Sequence, residues 1–327
     1  AEKAGVSQAT VSRVLNQDQN LSVSDATRKL IFETAEKLHY QKKHRKNNPL
    51  QSKRYRIAIL EWVTEEEELE DLYYYSIRVG IEKQAQELGH EIFRVFNLED
   101  WGPLEKADGI IALGKFSPET IRQLESYQKR LVFVDSNTLV YGHTCVMTDF
   151  ETSVYQALAY LIESGHNQIG LLVGQETTAD NRPLQTDPRY MSFKHYLEEK
   201  ELYQPDYIRV GHFSSDSGYD MMKELIDELG NRLPSAFFMA SDALAVGALR
   251  ALQEASIPVP DRVSLISFND TSIAKHVYPP LSTVTVYTEE MGKQAIHSLL
   301  QDLQRGDSGI PTMHTLATRL TIRESTR

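Results

Sequence analysis

A single cysteine, Cys145, stands in 327 residues. An internal disulfide is therefore ruled out, and without a CxxC pair there is no thiol-rich metal framework. A reducing compartment is expected, with Cys145 as a small core residue. Long apolar runs are also missing. No stretch of about eighteen apolar residues occurs, and the first ten residues, AEKAGVSQAT, lack the basic-then-apolar order of an export signal. Neither membrane insertion nor secretion is expected, and a cytoplasmic location is. The ten histidines have no metal-ligand spacing. GxSxG, GxxxxGKS/T, HExxH and a helix-opening GxGxxG are all absent. No metal, cofactor or enzymatic reaction is indicated.

At 41% hydrophobic and 25% charged, the chain has the makings of two or three globular domains. Its net charge of −11 argues against a polyanionic partner only until the charge is counted by segment. Residues 1–54 hold 11 Lys and Arg against 5 Asp and Glu, and the remainder holds 24 against 41. A short basic head on a large acidic body points to phosphate binding at one end and a different task at the other.

The head reads as short helices. In Ala4-Gly5-Val6-Ser7, Gly ends one helix, Val packs under the turn and Ser caps the next helix, which runs to Leu15 and buries Val11, Val14 and Leu15. Ser24 caps a further helix with a stripe of Leu30, Ile31, Thr34, Ala35 and Leu38. Together these are a helix-turn-helix signal. Residues 41–54, rich in Lys and Arg with one Leu and one Pro, have too little apolar material to pack and read as a linker. From Tyr55 onward, apolar strands such as RIAIL, ADGIIAL, QIGLLVG and VSLISF alternate with amphipathic helices, for example 76–88, 118–129, 189–199 and 242–255. That alternation predicts parallel sheets covered by helices, in two lobes.

Taken together, AGVSQATVSRVLN (4–16), ETAEKLHY (33–40), ESGHNQIGLLVG (163–174), DPRYMSFKHYL (187–197), FFMASDALAVGALRAL (237–252), IPVPDRVSLISFND (257–270) and PPLSTVTVYTEEMG (279–292) resemble the lactose-repressor/galactose-repressor family, over residues 1 to about 325. The wording SFND and STVTVYTEEMG is most similar to its galactose-type members. The resemblance implies a helix-turn-helix head (1–40), a basic hinge linker (41–54), a first lobe of 55–148 with 286–313, and a second of 149–285 with 314–327, the lobes like those of periplasmic binding proteins. It also implies a first helix beginning upstream of Ala1.

A recognition helix sets its first turn against base edges. By the resemblance, Gln8, Ala9 and Arg13 are the base readers of double-stranded operator DNA, since Gln suits adenine, Arg suits guanine and Ala suits the thymine methyl. Ser7, Thr10 and Ser12 suit phosphates and caps. Lys42, Lys43, Arg45 and Lys46 can neutralise phosphates. Leu50 is the candidate minor-groove wedge, but the family's hinge helix is replaced here by His44-Arg45-Lys46-Asn47-Asn48-Pro49, in which Pro49 disfavours helix at Asn48.

Parallel sheets bind ligands beyond the carboxyl ends of their strands. That rule, with the resemblance, selects Tyr74, Asp135, Asp149, Arg189, Phe213, Ser241, Asp242 and Asn269 as contacts for a small sugar effector, galactose or a galactoside first, because hydroxyls need bidentate polar partners and a sugar's C–H face needs an aromatic ring. Each has a plainer reading: Arg189 pairing Asp187, Asp242 capping a helix, Phe213 in a core, Asp149 at a hinge. The acidic run Glu65 to Glu68, then Glu70 and Asp71, reads most simply as a solvated loop after the first strand, with cation binding as the alternative. The expected function is a homodimeric, effector-controlled DNA-binding transcription regulator, most simply a repressor. A sugar receptor without a DNA role leaves the head unexplained, and a sugar-processing enzyme would have to rely on cleft carboxylates such as Asp135 and Asp149.

Overall fold

The computed structural model describes residues 5–15, 23–37, 53–64, 68, 72–96, 100–184, 187–306 and 309–327, in two units, Ala1–Pro49 and Leu50–Arg327. In the first unit, α1 (Gln8–Leu15) and α2 (Asp25–Lys37) are each capped by a serine. Ser7 Oγ accepts from the Thr10 amide at 3.1 Å and Ser24 Oγ from the Thr27 amide at 3.2 Å, satisfying donors that a helix start leaves open. Gly5 has φ +62°, the left-handed turn geometry that glycine adopts without a Cβ clash. Val14 and Ile31 are buried together, with Val6, Val11 and Val23 around them. Leu30, expected in the same stripe, is 46% exposed. Adjacent helical residues point about 100° apart, so burying Ile31 turns Leu30 outward.

The second unit holds two six-stranded sheets. Its elements are β1 (Arg56–Glu61), α3 (Leu72–Leu88), β2 (Glu91–Phe96), β3 (Gly109–Leu113), α4 (Pro118–Glu125), β4 (Arg130–Val134), β5 (Thr144–Thr148), α5 (Phe150–Glu163), β6 (Ile169–Gly174), α6 (Pro188–Glu199), β7 (Ile208–Gly211), α7 (Ser215–Leu229), β8 (Ala236–Met239), α8 (Asp242–Glu254), β9 (Ser264–Asn269), β10 (Ser282–Thr285), α9 (Thr288–Arg305), β11 (Met313–Leu316) and β12 (Arg319–Thr321). The first sheet runs β11-β5-β4-β3-β1-β2, all parallel. The second runs β12-β10-β9-β8-β6-β7, parallel except for the antiparallel edge strand β12. Continuous apolar runs explain this. Ile57 to Leu60 and Ile110 to Ala112 are fully buried, as strands covered on both faces by helices must be.

Each lobe carries a helix pair in close contact. A Cβ at Gly292 of α9 would lie 2.3 Å from the Ile77 carbonyl of α3, and one at Gly247 of α8 would lie 1.8 Å from the Ser215 carbonyl of α7. Only glycine permits backbones to approach this far. Helix α3 begins at Leu72, four residues before the expected start, because Tyr73 and Tyr74 are buried and anchor its first turn.

The chain passes between the lobes three times, after β5, after β10 and between β11 and β12. β11 pairs with β5, so residues 314–316, assigned to the second lobe from the sequence, run in the first sheet. The crossovers are tied to one another. The Asp149 amide donates to the Leu316 carbonyl at 3.0 Å, Ser153 Oγ and Thr318 Oγ1 are 2.7 Å apart, and Thr148 Oγ1 lies 3.3 Å from the Met291 sulfur. Among the described residues, no helix is long and apolar enough to cross a membrane.

Candidate functional site

A cavity of about 450 Å³ lies beyond the carboxyl ends of strands from both sheets. Trp62 to Thr64 follow β1, Asp135 follows β4, Gln175 to Ala179 follow β6, His212 to Ser214 follow β7, and Asn269 ends β9. Of the effector contacts expected from the sequence, Tyr74, Asp135, Arg189, Phe213 and Asn269 line it.

Asp135 is the polar centre of the first-lobe wall. It is 3% exposed and has φ +66°, a left-handed conformation that Asp tolerates better than most residues. The Tyr74 hydroxyl donates to Asp135 Oδ2 at 2.7 Å and the Tyr73 hydroxyl to Oδ1 at 3.3 Å. Lys115 Nζ lies 2.7 Å from Oδ2 and 3.9 Å from Glu176 of the second lobe. Burial, then the Asp135 charge, push both tyrosine hydroxyls well above their ordinary pKa. Both rings therefore remain neutral donors.

On the second-lobe wall, Arg189 grips Asp187 through Nε at 2.8 Å and Nη2 at 2.6 Å, while Nη1 donates to the Ala240 carbonyl at 2.7 Å. Its guanidinium carbon is 4.6 Å from the Phe213 ring centre and 5.4 Å from that of Phe150. A planar cation over aromatic faces fixes those rings as well as itself. A Cβ at Gly174 would meet the Phe213 ring at 2.3 Å, so glycine at the end of β6 makes room for that ring.

Five charged side chains meet here, each matched to another. Burial opposes the charge on Lys115, but Asp135 and Glu176 outweigh it and raise its pKa. Burial acts against Asp187 too, and Arg189 overcomes it, holding the carboxyl below its usual range. Glu176 is different: burial outweighs the pull of Lys115 and Arg189 and pushes it up to about 7. The surface can offer hydroxyl-binding carboxylates and an aromatic face while keeping its cations committed.

Three expected contacts do not line the cavity. Asp149 caps α5, accepting from the Thr152 amide at 3.1 Å. Ser241, fully buried, caps α8 and accepts from the Leu244 amide at 3.3 Å. Asp242, 1% exposed, accepts from Ser267 Oγ, the Thr271 amide, Thr271 Oγ1 and Thr283 Oγ1 at 2.5, 2.6, 2.9 and 3.0 Å. The expected cap at Asp242 is thus one residue early, at Ser241. Glu68 also departs from expectation: it is 5% exposed and held by Arg78 at 2.7 and 2.9 Å, not solvated.

Sequence reasoning passed over Lys115, Glu176 and Trp62. The rule that residues just past a strand face the cleft applies to all three, since Trp62 follows β1, Lys115 lies two residues past β3, and Glu176 two past β6. Among the described residues, no group of carboxylates, histidines or cysteine could hold a metal ion.

In the head, Ser7 caps α1 and shares a 2.8 Å hydrogen bond with Thr10 Oγ1. Gln8, Ala9, Ser12 and Arg13 fall within α1, and Arg13 is exposed. Lys42, Lys43, Arg45, Lys46 and Leu50 lie outside the described residues.

Comparison with known proteins joins the two ends. Residues 1–43 match bacterial regulatory proteins of the lacI family, and residues 158–326 match the periplasmic binding protein-like domain. The transcriptional regulator GalR of Streptococcus thermophilus is 52% identical, over 100% of this chain and 98% of its own length. The chain belongs to the lacI family of bacterial regulatory proteins. GalR of Lacticaseibacillus casei is 40% identical, over 99% of this chain and 97% of its own. Among solved structures, the CelR–cellobiose complex superposes with a TM-score of 0.73 at 25% identity, covering 99% of this chain and 98% of that one. The Lac repressor bound to ONPG gives 0.71 at 24%, covering 100% and 98%, a likeness of fold. As a lacI-family member, the chain is a DNA-binding regulator of transcription and not an enzyme.

Proposed function

We propose that this regulator represses sugar-utilisation genes by binding operator DNA as a homodimer, and that galactose or a galactoside, bound in the 450 Å³ cavity, controls the binding. The observation that carries the effector reading is Asp135 at the cavity wall, buttressed by Tyr74, Tyr73 and Lys115 and faced by Phe213, a set suited to neighbouring hydroxyls and a sugar's C–H face. The galactose assignment draws on the GalR relatives, 52% and 40% identical.

Gln8, Ala9 and Arg13 read bases, Ser7, Thr10 and Ser12 bond phosphates, and Lys42, Lys43, Arg45 and Lys46 neutralise them beside a Leu50 wedge. A twofold dimer requires half-sites about one helical turn apart. The effector acts only through different affinities for two lobe arrangements about the tied crossovers. Where it favours the arrangement that separates the linkers, DNA is released.

Thermal-shift screening of monosaccharides, disaccharides and sugar phosphates, with galactose and galactosides first, tests the effector, since binding to the folded state alone raises Tm. No shift with any sugar or sugar phosphate would sink it. For the DNA end, Arg13→Ala should cost about 1–3 kcal/mol of operator preference over random duplex. Unchanged discrimination in a gel-shift titration would remove Arg13 from base reading.

A further inference from the structure

After β6, the segment from Gln175 to Leu184 leaves the second lobe as a hairpin and seats its tip in the first lobe. Its base is braced: Thr177 pairs antiparallel with Pro183, the Leu184 amide donates to the Glu176 carbonyl at 3.0 Å, and the Gln175 amide donates to the Gly211 carbonyl of β7 at 2.7 Å. The hairpin therefore moves with the second lobe. Its tip packs with the other: Ala179 is 8% exposed in a hydrophobic cluster, with Phe116 and Ile121, whose every other member comes from the first lobe. We propose that this hairpin is a latch that holds the lobes in the arrangement in which the two walls of the cavity face each other. Ser117 and Asp180, neither of which lines that cavity, then set how much of the protein is ready for effector. The link to effector rests on the reading of the cavity as the sugar site, and the latch itself does not.

Three bonds fasten the tip. The Ala179 amide donates to the Lys115 carbonyl at 2.9 Å, Ser117 Oγ donates to the Asp180 carboxylate at 3.0 Å, and Arg182 meets Glu119 at 2.6 Å. They are not equal. Arg182 and Glu119 are half exposed, and an ion pair in water contributes little. Ser117 is 1% exposed and its acceptor is charged, which makes that bond the stronger one. Asp180 is also fixed from within the hairpin, accepting from Thr178 Oγ1 and pairing with Arg182 Nε. Its aim at Ser117 is thus set before the lobes meet.

Lys115 connects the latch to the site. Its carbonyl holds Ala179, while its ammonium lies 2.7 Å from Asp135 and 3.9 Å from Glu176 at the base of the hairpin. A separation of the lobes that lifts the tip also takes Glu176 from Lys115 and carries Phe213 away from Asp135. An effector that needs both walls binds only the latched fraction, so its apparent dissociation constant is the intrinsic one divided by that fraction. Loosening the latch weakens binding without removing a ligand contact.

Ser117 also caps α4, accepting from the Thr120 amide at 3.1 Å. Ser117→Asp therefore tests the latch, because aspartate caps a helix as well as serine does but faces Asp180 with a second negative charge. In hydrogen exchange of the sugar-free protein, the Ala179 amide of the wild type should be protected, and the variant should lose at least about tenfold of that protection. Small-angle X-ray scattering should show a larger radius of gyration. Adding Asp180→Asn, whose amide can donate to the new carboxylate, should restore both, with thermal unfolding reporting that the variants fold. Should Ser117→Asp unfold, Asp180→Ala removes the acceptor from the other side and carries the same expectations. Calorimetric titration with galactose should show affinity about three- to tenfold weaker in Ser117→Asp and recovered in the pair. An unprotected Ala179 amide in the wild type, or protection that the variant leaves unaltered, would overturn the latch. Lost protection with an unchanged radius and unchanged galactose affinity would mean a hairpin that lifts alone, and would overturn it too. If exchange and radius respond as expected while no sugar binds, the latch stands and the reading of the cavity falls.

Discussion

Asp135 and Asp242 each lie within a few residues of the end of a parallel strand, β4 in the first lobe and β8 in the second. Their fates differ. Asp135 keeps one face on the cavity while two tyrosines and a lysine hold the other. Asp242 is sealed by hydroxyls of Ser267, Thr271 and Thr283 and by the Thr271 amide. What separates a cavity-lining carboxylate from a sealed one here is the loop after β9, whose Thr271 folds back over α8's first residue. Being past a strand gives a residue the opportunity to face a ligand, and the neighbouring loop decides whether it does.

The sharpest test of this contrast is Asp242→Ala. It would leave several buried donors without an acceptor, for an expected loss of about 3–4 kcal/mol in urea unfolding. The effector affinity of the folded fraction should stay within about twofold. A large affinity loss with normal stability would reverse the assignments of the two carboxylates.

Asp135→Asn keeps the shape and removes the charge. Effector affinity should fall about 10- to 100-fold by calorimetry, the worth of a hydrogen bond to a charged group. Next comes Asp149→Ala, which removes the α5 cap: about 1 kcal/mol of stability should go, with affinity intact. Affinity falling in step with the Asp135 variant would put Asp149 in the site after all.

The smallest effect is one of pH. Glu176 titrates at about 7 in the folded chain against an ordinary 4.5, chiefly through burial. Its contribution to stability is therefore complete below about pH 4.5 and is lost as pH rises through about 7. The Tm of the wild type minus that of Glu176→Gln should decline from about pH 5 to about pH 8. A flat difference would mean that Glu176 is as well solvated as an ordinary surface carboxylate.

Much of the fold was legible because alternating apolar runs and amphipathic segments leave few ways to build covered parallel sheets. Tyr74, Asp135, Arg189, Phe213 and Asn269 followed from the strand-end rule and the family resemblance, and they line one cavity. The errors share a cause. Asp242 meets partners 25, 29 and 41 residues away, and Glu68 is buried by Arg78 on α3 and Arg94 on β2. No local pattern announces such partners. Lys115, two residues past β3, falls under the strand-end rule, and its carboxylate partners Asp135 and Glu176 come from other strand ends that the local sequence does not announce.

The three tied crossovers bear on how the lobes can come apart. With Asp149 bonded to Leu316, Ser153 to Thr318, and Thr148 against Met291, twisting one connection drags the other two, which confines the lobes to few relative rotations. A protease cut in any single connection would leave two covalent tethers in place, so a nicked regulator should still migrate as one particle under native conditions and separate into fragments only in denaturant.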